Sequence, residues 1–518
     1  RSSVAGIVGG LLGHWRPARN LSSNGGGDRG ICAPEGARPR ALAQHRATLE
    51  KLLAEVAELR KASPPWLLFC GDVVATPLLV DAANELVFPS IDEGPWDLHV
   101  VLQGEPEDSV LSAPLRLRLR LDAGWPRTPP SIHVGGLLAF VMLSPARTPR
   151  MEFYERLSQS KQGTFELQLV LADVRHFLLD PLAFLGLAAE GADESSAQRI
   201  RAWSEDVRRL NQSRFGVIQK YAPSVKHPAF FDALAPLRPE WFTPEFWAVA
   251  SAGGASLDVW RTVLTEHLPG EVFSMQMFTD EFCDAFVEEL QNFQATGLPA
   301  RRPNSMNRYG IILGDIGLEP FVTRLQALLQ PLGHLLFPGP GTGWDGHHCF
   351  TVRYRADEDL GLDMHTDDSD VTFNVCLGLE FTGAGLQFCG MMGALDHRQH
   401  SLEYRHQKGR CVVHLGRKRH GADNIESGDR VNLILWNTSS AYRRSNLHRA
   451  PLYHREAGPP ETVCLSYTHD RDFGVFKPYP DGAEAFRHRG WCPPSHAEYE
   501  GFRPDAARVT VGDPRSTQ

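Results

Sequence analysis

The stretch DMHTDDSDVTFNVCLGLEFTGAGLQFCG (residues 363–390) and the later RHGADNIESGDRVNLILW (419–436) hold the side chains best suited to chemistry. His365 and Asp367 are two apart, and on extended backbone that spacing puts both on one side. His420 comes from a later strand region, and Arg430 opens the apolar run VNLILW. Two imidazoles and one carboxylate on one face of a metal leave its other positions open. That is the ligand set of non-haem Fe(II) oxygenases. A lone H-x-D is also ordinary surface polarity, so its weight depends on what accompanies it.

The elements that must position these residues come from a long chain. At 518 residues it exceeds a single hydrophobic core and implies two or three domains. A net charge of −9 over that length implies no wholesale binding to nucleic acid or to a membrane surface. No apolar run approaches the length of a membrane span. The nine cysteines are scattered with no C-x-x-C pair. They read as free thiols in a reducing compartment, hence an intracellular protein of cytoplasm or nucleus.

Residues 1–40 are rich in Gly, Ser, Pro and Arg and read as disordered. The apolar, glycine-rich stretch 3–13 is taken as part of that tail in preference to the remnant of a targeting segment. RALAQHRATLEKLLAEVAELRK (40–61) repeats Leu42, Leu49, Leu52, Leu53, Val56 and Leu59 at three- and four-residue steps, which predicts an amphipathic helix. Short strands follow: WDLHVVLQG (96–104), LRLRLRL (115–121) and SIHV (131–134). Arg116, Arg118 and Arg120 alternate with leucines, and the row is expected to be the solvated face of an antiparallel strand. Helices are expected over 167–186 and 201–222.

A helix, a strand meander, the segment GWPRTPP (124–130), a further strand and two closing helices resemble the ubiquitin-conjugating (UBC-like) fold and its RWD relatives. The resemblance covers about residues 41–225. Conjugating enzymes carry a nucleophilic cysteine after the Pro-Pro strand, but this chain has none between Cys70 and Cys283. Without a thiolate there is no thioester chemistry. The resemblance therefore implies an inactive binding module, with ubiquitin or a ubiquitin-pathway protein as its partner.

Residues 226–270, dense in aromatics and prolines, read as a linker and packing segment. TDEFCDAFVEELQNFQATG (279–297) predicts a helix capped by Thr279. Residues 299–320 read as turn, strand and turn, and 322–339 as a second helix that Pro331 should end or kink. Five short strands follow at 348–355, 370–381, 384–389, 410–416 and 430–437, joined by Gly and Asp turns. That pattern predicts a sandwich or barrel. The expected fold class is thus α+β multidomain. A UBC-like α+β domain is followed by a double-stranded β-helix (jelly-roll) at 271–440 with supporting helices, and 441–518 is an irregular extension.

VFSMQMFTDEFCDAFVEELQNF, RPNSMNRYGIILGDIGLEP, the H-x-D at His365 and Asp367, EFTGAGLQF and HGADNIESGDRVNLILW occur in this order. Together they resemble the 2-oxoglutarate and iron-dependent oxygenase domain-containing proteins, type 2 branch, of the prolyl 4-hydroxylase-like superfamily. The resemblance implies His365, Asp367 and His420 as Fe(II) ligands. It implies Arg430 as the anchor of the distal carboxylate of 2-oxoglutarate, with Tyr354 donating to the same carboxylate. Tyr309 and Arg353 are nearby alternatives to Tyr354. His414 competes for the second imidazole, but it lies six residues early, inside CVVHL, and reads as a barrel-wall residue. His347 and His348 read as turn residues. Asp368 and Asp370 would overcharge a divalent site, and are expected in solvent or in support of the ligands.

The implied activity is that of a 2-oxoglutarate-dependent dioxygenase. Fe(II) is its cofactor, O2 its oxidant and ascorbate its reductant, and a protein side chain is its substrate. The alternative is a non-catalytic ubiquitin-pathway scaffold with a vestigial metal barrel.

Overall fold

The computed structural model describes residues 37–449 apart from gaps, the longest at 103–114, 135–152 and 154–164. Of the disorder expected over 1–40, residues 37–40 instead open a helix, and of the irregular extension expected over 441–518, the first residues are helical (Ser440–Arg444 and Asn446–Arg449); the rest of both lies outside the described residues.

Helix α1 (Ala37–Ala62) buries Leu52, Val56 and Leu59. Leu53, counted in the same stripe, is exposed instead. It follows Leu52 directly, and one residue is about 100° of helix rotation. Strands β1 (Leu67–Ala75), β4 (Trp96–Leu102), β5 (Leu115–Leu121) and β6 (Ser131–Val134) form one antiparallel sheet in that order. β2 (Leu79–Val80) and β3 (Leu86–Val87) make a separate short ladder. Leu117, Leu119 and Leu121 of β5 pack with Leu98, Val100 and Leu102, with α1, and with the following α2 (Leu167–Leu179).

The arginine row corrects the expectation. Arg118 is buried, and its Nη2 donates to Asp345 at 3.0 Å. Arg120 donates to both oxygens of Asp97, at 2.9 and 3.2 Å. Alternation says which side chains share a face. It does not say what covers that face, and here the cover includes a carboxylate 227 residues away.

α3 (Glu194–Tyr221) ends inside a second, larger core, which Tyr221 shares with Phe230, Trp241, Phe242 and Phe246. Those aromatics of the 226–251 segment, including α4 (Pro244–Ser251), fill core as expected. α5 (Asp280–Ala295) begins where Thr279 Oγ1 accepts the Phe282 N–H at 3.2 Å. On its inner face lies Glu289, fully buried. Its carboxylate accepts the backbone N–H groups of Lys226 (3.0 Å) and His227 (2.6 Å) and the Tyr221 hydroxyl. Removing it strands two partly buried backbone donors, at about 1–3 kcal/mol each, while the Tyr221 hydroxyl keeps the Glu289 backbone carbonyl at 3.1 Å. Glu289→Ala should therefore cost about 2 kcal/mol or more of stability in chemical denaturation, with partial recovery in Glu289→Gln. An unchanged midpoint would show that these donors find other partners.

One more expectation is narrowed here and another corrected. α6 (Glu319–Leu336) runs through Pro331, so of the two outcomes expected there the ending is excluded; Leu325, Leu329 and Leu332 are all buried, and tertiary packing holds the helix across the break. Residues 299–320 hold no strand. A single bridge pairs Ile312 with Phe350, and a 3-10 turn covers Leu313–Ile316.

The remaining strands are β7 (Thr265–Leu268), β8 (Val272–Gln276), β9 (Gly346–Arg355), β10 (Leu362–His365), β11 (Val371–Gly378), β12 (Phe381–Gly383), β13 (Leu386–Met391), β14 (His400–Tyr404), β15 (Arg410–Leu415), β16 (Lys418–Ala422) and β17 (Ile425–Thr438). His347 and His348 therefore lie in β9 and not in a turn. One sheet runs β12-β17-β11-β15-β8-β7, with β9 also paired to β17; the other runs β10-β16-β13-β14. All these pairs are antiparallel. Phe350, Val352, Leu386, Phe388, Val412 and Ile434 pack between the two sheets. Residues of opposite parity, Phe373, Val375, Val413, Leu433 and Leu435, pack instead with Phe282 and Phe286 of α5 and Leu325 of α6. The result is a β-sandwich with helices behind its larger sheet. Among the described residues, no helix is long and apolar enough to cross a membrane, and six cysteines are free.

Candidate metal centre

His365 closes β10 and His420 lies in β16. The two are direct register partners, with ring centroids 4.3 Å apart. Asp367 follows in the turn after β10, where its N–H donates to the Gly416 carbonyl at 2.9 Å. Thr372 donates its hydroxyl to Asp367 Oδ2 at 2.6 Å. Oδ1 is left 3.4 Å from His365 Nε2 and 3.6 Å from His420 Nε2. The three ligand atoms lie within 4.8 Å of one another.

His365 Nδ1 contacts the Asp363 carbonyl at 2.7 Å, and His420 Nδ1 contacts that of Lys418 at 2.9 Å. A carbonyl can only accept, so each Nδ1 carries the proton and each Nε2 keeps its lone pair. Imidazoles that bind metals are oriented in this way. The donor set therefore fits a divalent metal with open positions.

His414 lies in the wall strand β15, as expected, but against the site. It stands across from Thr372, its ring is 4.5 Å from that of His420, and its buried Nε2 has no hydrogen-bond partner. It is not one of the three converging ligands.

Arg430 and Tyr354 are register partners on β17 and β9, and the guanidinium carbon lies 4.3 Å from the ring centroid. Arg430 is buried and donates through Nη1 to the Ala384 carbonyl, while its Nε has no partner. A buried guanidinium with spare donors suits a carboxylate. Asn307 Nδ2 donates to the Tyr354 hydroxyl at 3.2 Å. Of the alternatives, Tyr309 is exposed and Arg353 is engaged by Glu358 at 2.6 Å.

Sequence reasoning missed the polar row that continues from Arg430. Asn432 donates to Asn374 at 2.6 Å, both are buried, and the half-buried His406 lies 3.4 Å from Asn432 Nδ2. Thr372, Asn374, Arg430 and Asn432 alternate with apolar neighbours in the sequence, and that was the available signal.

Burial pushes His420 down to about 3, lowers His414, and holds His406 well below its ordinary range, with Arg430 adding to the last. Each ring is neutral in the fold but protonates below about pH 6.5 when unfolded. The unfolded chain then binds more protons. Stability of the metal-free protein should fall below about pH 6.5, by up to about 1.4 kcal/mol per pH unit for each ring. Denaturant midpoints at pH 7.5 and 5.5 measure this, and equal midpoints would contradict it.

A family profile described as an OGFOD2-like domain matches residues 217–342. The human 2-oxoglutarate and iron-dependent oxygenase domain-containing protein 2 is 38% identical over 227 residues, 42% of this chain and 65% of that protein. Its mouse counterpart is 35% identical over 243 residues, 46% of this chain and 69% of that protein. The chain thus spans about two thirds of each relative's length. A solved prolyl-4-hydroxylase from Pseudomonas putida covers 37% of this chain and 99% of its own at 15% identity and a TM-score of 0.27, a likeness too distant to bear on function. By its match to the mouse protein, this chain belongs to the family of 2-oxoglutarate and iron-dependent oxygenase domain-containing protein 2.

Proposed function

We propose that the chain is an Fe(II)- and 2-oxoglutarate-dependent dioxygenase that hydroxylates a protein side chain. The observation that carries this reading is the convergence of two Nε2 lone pairs and one carboxylate oxygen within 4.8 Å. Bound Fe(II), with 2-oxoglutarate and O2, would supply the oxidising chemistry that turns C–H into C–OH and releases succinate and CO2. The chain's own residues hold and orient. His365, Asp367 and His420 bind the metal, and Thr372 fixes the carboxylate through its hydroxyl. Arg430 pairs with the distal carboxylate of the co-substrate, and Tyr354 donates beside it. Phe388, Val412 and Ile434 keep water from the interior. Ascorbate is the proposed reductant, and the free thiols fit a reducing, intracellular setting.

For the N-terminal half we propose an inert UBC-like module that presents a ubiquitin-linked partner. The order of α1, four antiparallel strands, α2 and α3 supports it. The test of the activity is anaerobic loading with Fe(II) and 2-oxoglutarate, then succinate release on admitting O2. No succinate would sink it. A ubiquitin titration without binding would remove the recruitment role and leave the oxygenase reading intact.

A further inference from the structure

The N-terminal half and the turn that carries Asp367 meet at one short helix, α7 (Ser440–Arg444). Two backbone N–H groups at its start are each taken by a carboxylate. Ser439 N donates to Asp370 Oδ2 at 2.6 Å, and Ser440 N donates to Asp345 Oδ1 at 2.8 Å. Behind each carboxylate stands a guanidinium. Arg443 of α7 donates through Nε to Asp370 Oδ1 and through Nη1 to Asp368 Oδ1, both at 2.9 Å. It thus grips two residues of the 367–370 turn, Asp368 next to Asp367 and Asp370 at its end. Arg118 of β5 donates to Asp345 Oδ2 at 3.0 Å, and its Nη1 lies 3.9 Å from Asp97, which Arg120 also holds.

We infer that the N-terminal half is a positioning element of the metal centre. Arg118, through Asp345 and α7, holds Arg443 where it fixes the 367–370 turn and so Asp367. Arg118, Asp345 and Asp370 all have side chains no more than 13% exposed, and Arg443 is about a third exposed; of the two carboxylates it holds, Asp370 is buried and Asp368 is open to solvent. Without Arg118, Asp345 is an uncompensated, largely buried carboxylate beside the start of α7. The chain relieves that by moving α7, and Arg443 moves with it. This inference rests on the metal reading above. It differs from recruitment, because it gives the N-terminal half a task even when no partner is bound.

Co(II) affinity of the full chain, read by visible absorption, tests it together with the melting temperature. Arg118→Gln should weaken Co(II) binding about tenfold, and Arg443→Gln at least as much. The double variant should lose no more than Arg443→Gln alone, because both act through one turn. A contact that only joins two halves would lower the melting temperature and leave Co(II) affinity unchanged. That result overturns the inference, as does a double variant whose loss is the product of the single losses. If Arg118→Gln does not fold, Asp345→Asn replaces it with the same expected tenfold loss: it keeps an acceptor for Ser440 and removes the charge that Arg118 meets. No Co(II) binding by the unmodified chain would remove the metal reading itself, and this inference with it. Co(II) binding without succinate release would sink the oxygenase activity alone.

Discussion

Asp367→Ala should abolish succinate release and weaken metal binding by at least about 100-fold, more than the loss of any supporting contact to a ligand. The variant removes the only negative charge among the three converging ligands and leaves two neutral imidazoles. It also strands the Thr372 hydroxyl, now bonded to Oδ2. Asp367→Asn separates the two effects, because it keeps an acceptor for Thr372 and loses the charge. Metal titration and succinate assay on the same preparations decide the matter. Near-normal metal affinity in Asp367→Ala would mean that the ligands are other residues, with His414 the nearest unused imidazole.

The second large effect is expected at Arg430. Arg430→Met keeps much of the side-chain volume and removes the charge. Losing one partner of a desolvated ion pair costs about 2–5 kcal/mol, so 2-oxoglutarate affinity should fall by about 30-fold to several thousandfold. Metal affinity should stay near that of the unmodified protein, because Arg430 is not among the converging ligands. Arg430→Lys should recover only part of the loss, since an ammonium cannot reproduce the planar two-point contact and stacks less well over Tyr354. A Met variant with unchanged 2-oxoglutarate affinity would end the anchor assignment.

How far the molecule was legible in its sequence depended on whether the needed information was local. Strand parity was. VTFNV alternates, as does the start of RVNLILW, and the structure puts Phe373, Val375, Leu433 and Leu435 against the helices and Ile434 against the other sheet. The Thr279 cap and the stripe of Phe282, Phe286, Leu290 and Phe293 were local too. The convergence of His365 and His420 was not: it needs β10 to pair with β16, and only the family resemblance pointed there. The arginine row failed for the same reason, since Asp345 is far away in sequence. That the helix continues past Pro331 was not local either, because a breaker's local cost says nothing of the packing that opposes it. The polar row of Asn374 and Asn432 was visible as alternation, but its neighbours His406 and Arg430 meet it only through strand pairing.

β17 is the longest strand, and it is hydrogen-bonded along both edges, to β9 on one side and to β11 and β12 on the other. β10 is an edge strand of four residues with one neighbour. Local opening is easiest where few pairings must break, so amide exchange should be slow around Arg430 and fast around His365. The co-substrate anchor is then in place before any metal arrives, while one side of the metal ligand set can part from its sheet without disturbing that anchor. Loading and loss of metal become events at a sheet edge, separate in free energy from the folding of the barrel.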